Sequence, residues 1–257
     1  MIITLTTDFG LADPFVGIMK GVMLGIAPNA QLVDITHEIR SYDILQAAFV
    51  IESSYRYFPD GTVHVVVVDP GVGSARRPIA VPADGHTFVG PDNGVLSNVL
   101  PADVSVYWIQ NEKLFLSSVS QTFHGRDIFA PVAAHLAQGI AIESVGARIT
   151  DFVTKAVPGP GPKDGKLVGA VLRVDKYGNV ITNLRRQHLG PGFAIRVAGR
   201  SITRFCSNFS EGRPGEFFAL EGSTGYIELA LNQGSAAERL NVETGAEIEL
   251  ESPSSNQ

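Results

Sequence analysis

Four consecutive valines, Val65 to Val68, run directly into Asp69-Pro70-Gly71-Val72-Gly73 and then the adjacent arginines Arg76 and Arg77. The run they complete, Val63 to Val68, bounded by turn residues, reads as a buried strand. Its surroundings then set the fold class. Similar runs lie at Ile2 to Thr7, Leu32 to Ile35 and Thr87 to Val89. Between the first two, Phe15, Ile18, Met19, Val22, Met23 and Ile26 keep the three-and-four spacing of an amphipathic helix that Pro28 ends. Asp43 followed by Gln46 resembles a capping box opening a second helix, with Ile44, Ala48, Ile51, Tyr55 and Phe58 on its apolar face. A third helix follows Asp127 and turns Val132, Ala133 and Leu136 inward. Strands alternating with helices predict an α/β domain, a largely parallel sheet with flanking helices.

The texture changes at AVPGPGPKDG, Ala156 to Gly165, where three prolines and three glycines fit neither helix nor strand and predict a linker. Beyond it KLVGAVLRV, NVITNL, FAIRV, EFFAL, GYIELAL and AEIEL are short β-like runs separated by turns. The expected organisation is an α/β domain over residues 1–155, a linker over 156–165 and a small β-barrel domain over 166–257. Phe205, Phe209, Phe217 and Phe218 supply either the core of that second domain or a subunit contact, core being the commoner fate of phenylalanine.

Composition narrows the partners. A net charge of −6, with no basic run beyond Arg76-Arg77 and Arg185-Arg186, gives no electrostatic footprint for nucleic acid. The single cysteine, Cys206, excludes an intrachain disulfide and a thiolate metal cluster, and no other pattern argues for a metal. The opening MIITLTTDFG already reads as a strand, without a basic region or long apolar stretch, so a cytoplasmic protein with no membrane partner is expected. A small molecule is the partner class that remains. Asp8-Phe9-Gly10 spells the kinase magnesium motif but lacks the motifs that precede it in a kinase. Gly71-Val72-Gly73 begins a dinucleotide fingerprint, yet Arg76 stands at the third glycine position.

What is left is polar residues at strand ends, where ligands sit in an open α/β sheet. Asp8 follows the first strand and Asp69 the third, and each also has an ordinary reading as a cap or turn residue. His124 stands in FHGRD just before the third helix, and a lone histidine is more often structural than catalytic. Arg76 and Arg77 also read as a solvated pair.

Taken in order, TTDFG, VVDPGVGSARR, PDNG, FHGRD and YGNVITN resemble the S-adenosylmethionine hydroxide adenosyltransferases, relatives of the bacterial fluorinase and chlorinase. The resemblance spans nearly the whole chain. It implies hydrolysis of S-adenosylmethionine to adenosine and methionine without a further cofactor, an α/β domain followed by a β-barrel, and a homotrimer with sites between subunits. It places the family's Asp, Arg and His trio on Asp69, Arg76 and His124, with Arg76 rather than Arg77 matching by spacing. It puts Asp8 at the ribose, Asn179, Phe209 and the backbone near Asn232 around the adenine, and Asp13, Ser223 and Glu228 at the methionine end. Tyr42 falls where the halogenases carry an aromatic near the sulfonium.

Attack on the ribose C5′ expels a neutral thioether, so catalysis rests on the nucleophile and its alignment. Asp69 and His124 both remain candidates for the base, since an arginine beside Asp69 lowers its basicity. A halide-using reaction is the alternative, and a carboxylate in the nucleophile pocket opposes it electrostatically. Gly125 also occupies the position of the fluorinase's halide-binding serine, and the halogenases' insertion between VVDPGVG and PDNG is missing. A binding module that senses the nucleoside without turning it over is the alternative from another class.

Overall fold

The computed structural model describes residues 1–101, 103–155 and 159–251. The chain divides into two compact units, Met1–Ala156 and Val157–Gln257. The first is one sheet with helices. Its strands are β1 (Ile2–Thr7), β2 (Gln31–Thr36), β3 (Val63–Val67), β4 (Pro78–Ala83), β5 (His86–Pro91), β6 (Val106–Trp108) and β7 (Arg148–Ile149). Their order is β2-β1-β3-β5-β4-β6-β7. The contacts of β1 with β2, β1 with β3, and β3 with β5 are parallel, and an antiparallel flank begins at β4.

The valine run sits at the centre because both of its faces are covered. Val63, Val65 and Val67 join Ile3 and Leu5 in a core packed against Met19 and Met23 of α1 (Phe15–Ile26) and Val132 and Ala133 of α3 (Ala130–Ala137). Every residue of β3 is buried, and each such aliphatic side chain contributes about 1.5–3 kcal/mol on leaving water. The other face holds a polar and aromatic layer. Thr4 Oγ1 is 2.7 Å from His64 Nδ1, His64 Nε2 is 3.2 Å from His86 Nδ1, and the rings of Tyr55, Phe58 and Phe88 surround His64.

The helices differ from expectation in detail. In α1 the buried residues are Val16, Met19 and Met23, whereas Phe15 and Ile18 are exposed. Phe15 instead meets Phe9 and Phe123 edge to face, which takes it out of the core-facing stripe. For α2 (Ile44–Ser54), Asp43 accepts from Gln46 N at 2.9 Å, but Gln46 Oε1 accepts from Arg40 N rather than closing the box on Asp43. A wide π-helical turn, Gly125–Phe129, precedes α3.

The second unit is β throughout apart from α4 (Ala236–Leu240). Its strands are β8 (Gly161–Lys163), β9 (Lys166–Val174), β10 (Val180–Arg185), β11 (Ala194–Val197), β12 (Arg200–Ile202), β13 (Phe217–Glu221), β14 (Tyr226–Leu231) and β15 (Glu247–Glu251). The order β12-β11-β15-β9-β10-β14-β13 is antiparallel, and Phe205, just past β12, bridges to Ala219 of β13, so the sheet curls into a nearly closed barrel. The expected linker is not coil throughout. Residues 156–158 lie outside the described residues, while Gly161–Lys163 pair with β9 across a turn at Asp164 and Gly165. Pro162 is tolerated there because β8 is an edge strand, where a missing N–H breaks no second ladder. Of the four phenylalanines, Phe218 is buried, Phe205 and Phe217 pack against the core, and Phe209 is exposed.

Burial, with the charge of His86 second, pushes the His64 pKa down to about 3. The unfolded chain therefore binds a proton that the folded chain refuses, and stability falls as pH drops from 6.5 toward 3. Between pH 7 and pH 5 the loss from this one group is about 2 kcal/mol. Urea denaturation at both pH values should show His64→Leu shedding that much of the wild-type pH dependence; equal dependence in the two proteins would contradict the assignment.

Candidate active site

Strand order determines where the first unit can open. The chain leaves β1 for β2 on one side and returns to β3 on the other, so the loops after β1 and β3 diverge at a topological switch point. The pairing of Thr7 with Val67 brings those two ends level. Asp8 leaves the first and Asp69 the second. A pocket of about 450 Å³ opens there, and Asp8, Asp13, Tyr42, Asp69 and His124 all line it.

Asp69 and Arg76 form a bidentate pair. Arg76 Nε donates to Asp69 Oδ1 at 3.0 Å and its Nη2 to Oδ2, with side chains only 5% and 6% exposed. Nη2 also lies 3.0 Å from His124 Nδ1. A guanidinium can only donate, so Nδ1 is the acceptor and the neutral ring carries its proton on Nε2. Arg76 Nη1 is buried without a hydrogen-bond partner, and the guanidinium lies 5.3 Å from the Phe129 ring centroid. Local sequence explains the approach of these segments. Gly73 has φ 75, and a Cβ there would stand 2.2 Å from the Gln121 carbonyl oxygen, so only glycine lets the loop after β3 close on the segment carrying His124. The π-helical turn then carries His124 at its start.

Burial pushes the Asp69 carboxyl up, and the charge and hydrogen bonds of Arg76 reverse that only in part. For His124, burial and then the neighbouring Arg76 charge push the imidazole down, against smaller opposing pulls from Asp69 and Asp127. A carboxylate more basic than usual therefore faces a neutral histidine. Since Arg76 occupies the lone pair of Nδ1, His124 offers a donor, and Asp69 is the group of the trio able to take a proton.

Arg77 does something else. Its Nε and Nη2 donate to Asp92 Oδ2 at 3.0 and 2.7 Å, and Nη1 donates to Asp151 Oδ1 at 2.8 Å. Asp92 Oδ1 accepts from Val153 N at 2.7 Å, so this network ties residues 151–153 to the end of β5. Asn93 of the same PDNG segment donates to Val68 O at 2.9 Å and steadies the exit of β3.

Asp8 Oδ2 accepts from Tyr42 N at 2.9 Å, while Oδ1 makes no hydrogen bond among the described residues. Tyr42 is 72% exposed and has φ 70, an unusual backbone for an aromatic residue. Gly10 N donates to His37 O at 2.8 Å, which holds the Asp8 loop from the β2 side. Sequence reading missed the wall formed by Phe9, Phe15 and Phe123, whose ring centroids lie 5.2–5.9 Å apart. The signal was Phe15 itself, whose apolar character fits a pocket wall as well as a helix stripe.

The remaining candidates belong to the second unit. Asn179 and Phe209 line a pocket of about 540 Å³ with Tyr177, Leu231, Gln233 and Gly234. Asn232 borders it in sequence and donates its amide to Gly212 O. Ser223 is exposed in the turn between β13 and β14 and does not line that pocket. Glu228 is buried on β14, outside the pocket lining. Burial, then the nearby Asp175 charge, raises its carboxyl, and a Cβ at Gly222 would fall 1.9 Å from Glu228 Oε1, so that glycine makes room for the acid.

The family model for the SAM hydroxide adenosyltransferase N-terminal domain matches residues 3–146, and that for the C-terminal domain matches residues 169–249. Curated relatives named (R)-S-adenosyl-L-methionine hydrolase are 38% identical in Salinispora tropica (96% of this chain, 97% of that protein) and 39% identical in Thermus thermophilus (95% and 97%). A fluorinase from Nocardia brasiliensis is 28% identical, covering 97% of this chain and 96% of its own. The crystal structure of an uncharacterized conserved protein from Thermotoga maritima superposes with a TM-score of 0.87 at 36% identity, covering 97% of this chain and 99% of that one.

Because Asp92 has only 2% of its side chain exposed, removing Arg77 strands a buried charge. Arg77→Met should lower the unfolding free energy by about 3 kcal/mol in urea denaturation. A change below about 1 kcal/mol would show that Arg77 is a surface charge instead.

Proposed function

The chain belongs to the S-adenosylmethionine hydroxide adenosyltransferase family, and we propose that it hydrolyses S-adenosylmethionine to adenosine and methionine. The observation that carries the reading is the Asp69–Arg76–His124 trio, in which Asp69 and His124 line the pocket at the switch point and Arg76 pairs with both. Water attacks the ribose C5′, the carbon–sulfur bond breaks with its electron pair on sulfur, and methionine leaves as a neutral thioether. Asp69 accepts the proton lost by the water. Its raised carboxyl makes it the better acceptor, and His124 Nε2–H orients the oxygen. Arg76 holds both partners, and its guanidinium charge beside them stabilises charge developing on the attacking oxygen. Because the leaving group is neutral, the reaction involves no acid and no cofactor.

Asp8 then takes a ribose hydroxyl on its free oxygen, and Asp13 and Tyr42 flank the sulfonium and amino-acid side of the same pocket. Phe9, Phe15 and Phe123 screen the site from bulk water and present aromatic groups to a cation. Asn179, Phe209 and the segment at Asn232 receive the adenine, and Ser223 and Glu228 the methionine ammonium and carboxylate. The reading includes a homotrimer whose sites are completed by neighbouring subunits. It is supported by the family resemblance. A cytoplasmic location fits the single cysteine.

The fluorinase likeness makes halide transfer the competing reading. Gly125 opposes it. A Cβ there would lie 3.2 Å from both Met19 Sδ and Phe123 Cε2, so the fluorinase's serine has no ready space. Asp69 opposes it as well, since a carboxylate repels a halide.

Purified protein given S-adenosylmethionine, with and without excess chloride, should release adenosine and methionine at the same rate in both. Asp69→Ala should lower kcat by about 10²–10⁴-fold with little change in KM. The wild-type rate should fall at acid pH, at a midpoint higher than that of an ordinary aspartate, because Asp69 must be ionised to take the proton. A 5′-chloro nucleoside product would establish the halogenase, and tight nucleoside binding with no product would establish a sensor.

A further inference from the structure

One amide in the second unit's pocket has no freedom of orientation. Asp175 follows β9, and its Oδ1 accepts from the backbone N–H groups of Tyr177 and Asn179 at 2.8 and 2.9 Å. Its Oδ2 accepts from Asn179 Nδ2 at 2.8 Å. A carboxylate only accepts, so the Asn179 atom facing it is the amino group, and the usual ambiguity of an asparagine side chain disappears. The atom left for a ligand is the carbonyl Oδ1, which makes no hydrogen bond among the described residues. Asn179 is buried and lines the pocket, so its wall carries a fixed acceptor.

The pocket's other amide is not fixed. Gln233 is exposed, sits at φ 59 in the tight turn between β14 and α4, and makes no hydrogen bond among the described residues. It can rotate to suit a donor or an acceptor, and so adds affinity without discrimination.

We propose that Asp175 makes this pocket select 6-aminopurines over 6-oxopurines by locking Asn179 as an acceptor. The exocyclic amine of adenine donates to Asn179 Oδ1, whereas the 6-oxo group of hypoxanthine meets it acceptor against acceptor. Asp175 is thus a positioning residue for base specificity. The inference rests on the reading that the adenine end of the substrate occupies this pocket.

The test compares kcat/KM for S-adenosylmethionine and its 6-oxo counterpart S-inosylmethionine, in wild type and Asp175→Asn. Asparagine keeps an oxygen for the two backbone N–H groups but turns an amino group toward Asn179, whose amide must then flip. The wild type should prefer the amino substrate by about 10- to 100-fold, the cost of an unpaired buried polar group. Asp175→Asn should lower that ratio at least tenfold. A purely structural role would reduce both rates together. The lost charge beside Glu228 cancels in the ratio, because the two substrates share their methionine end. If the asparagine variant does not fold, Asp175→Ser, which can still cap the turn, should lose the preference in the same way. An unchanged ratio, or a wild type without preference, overturns the inference. If the wild type does not turn over S-adenosylmethionine at all, the reaction assigned above is what fails. The ratio of dissociation constants for adenosine and inosine, measured by calorimetry on the same variants, then decides the inference.

Discussion

A carboxylate and a guanidinium held almost entirely out of water set the terms for the first unit. Burying Asp69 and Arg76 is costly unless each finds its partner in good geometry, and the bidentate contact supplies that. The contact in turn requires a scaffold that does not yield. It stands beyond a strand buried on both faces, its loop closes because Gly73 lacks the Cβ that would stand 2.2 Å from the Gln121 carbonyl oxygen, and Arg76 reaches His124 across the start of a π-helical turn. The same enclosure that makes the pair expensive raises the Asp69 carboxyl and keeps His124 neutral. Structure and chemistry here follow from one act of desolvation.

Much of this was legible in the order of residues, and the exceptions have physical reasons. The bounds of β1 and β9 follow from their apolar runs, because a strand in a packed core cannot hide its pattern. β4 was missed because Pro78 and Pro82 argue against a strand, yet it pairs with both β5 and β6. β8 was missed for the same reason. Phe15 was assigned to the core of α1 because periodicity reports apolar spacing and not what an apolar residue faces.

The site shows the same division. Spacing brought Asp69, Arg76 and His124 together through resemblance, but left Arg76 and Arg77 distinguishable only by counting. In three dimensions they part company, one on Asp69 and the other on Asp92. The choice of base was not legible at all, since it depends on which lone pair of His124 is occupied. In the second unit Asn179 was named, but the carboxylate of Asp175 that fixes its amide was not, because nothing in YGNVITN announces it. Ser223 and Glu228 are likewise placed by resemblance, and neither lines the pocket that Asn179 and Phe209 share.

The central claim is that a water oriented by the trio attacks the ribose carbon of a sulfonium. The most direct measurement is turnover of S-adenosylmethionine in water enriched in oxygen-18, with mass spectrometry of both products. The account predicts one labelled oxygen per turnover in the 5′-hydroxyl of adenosine and none in methionine. Unlabelled adenosine, or label in the amino acid, would contradict it.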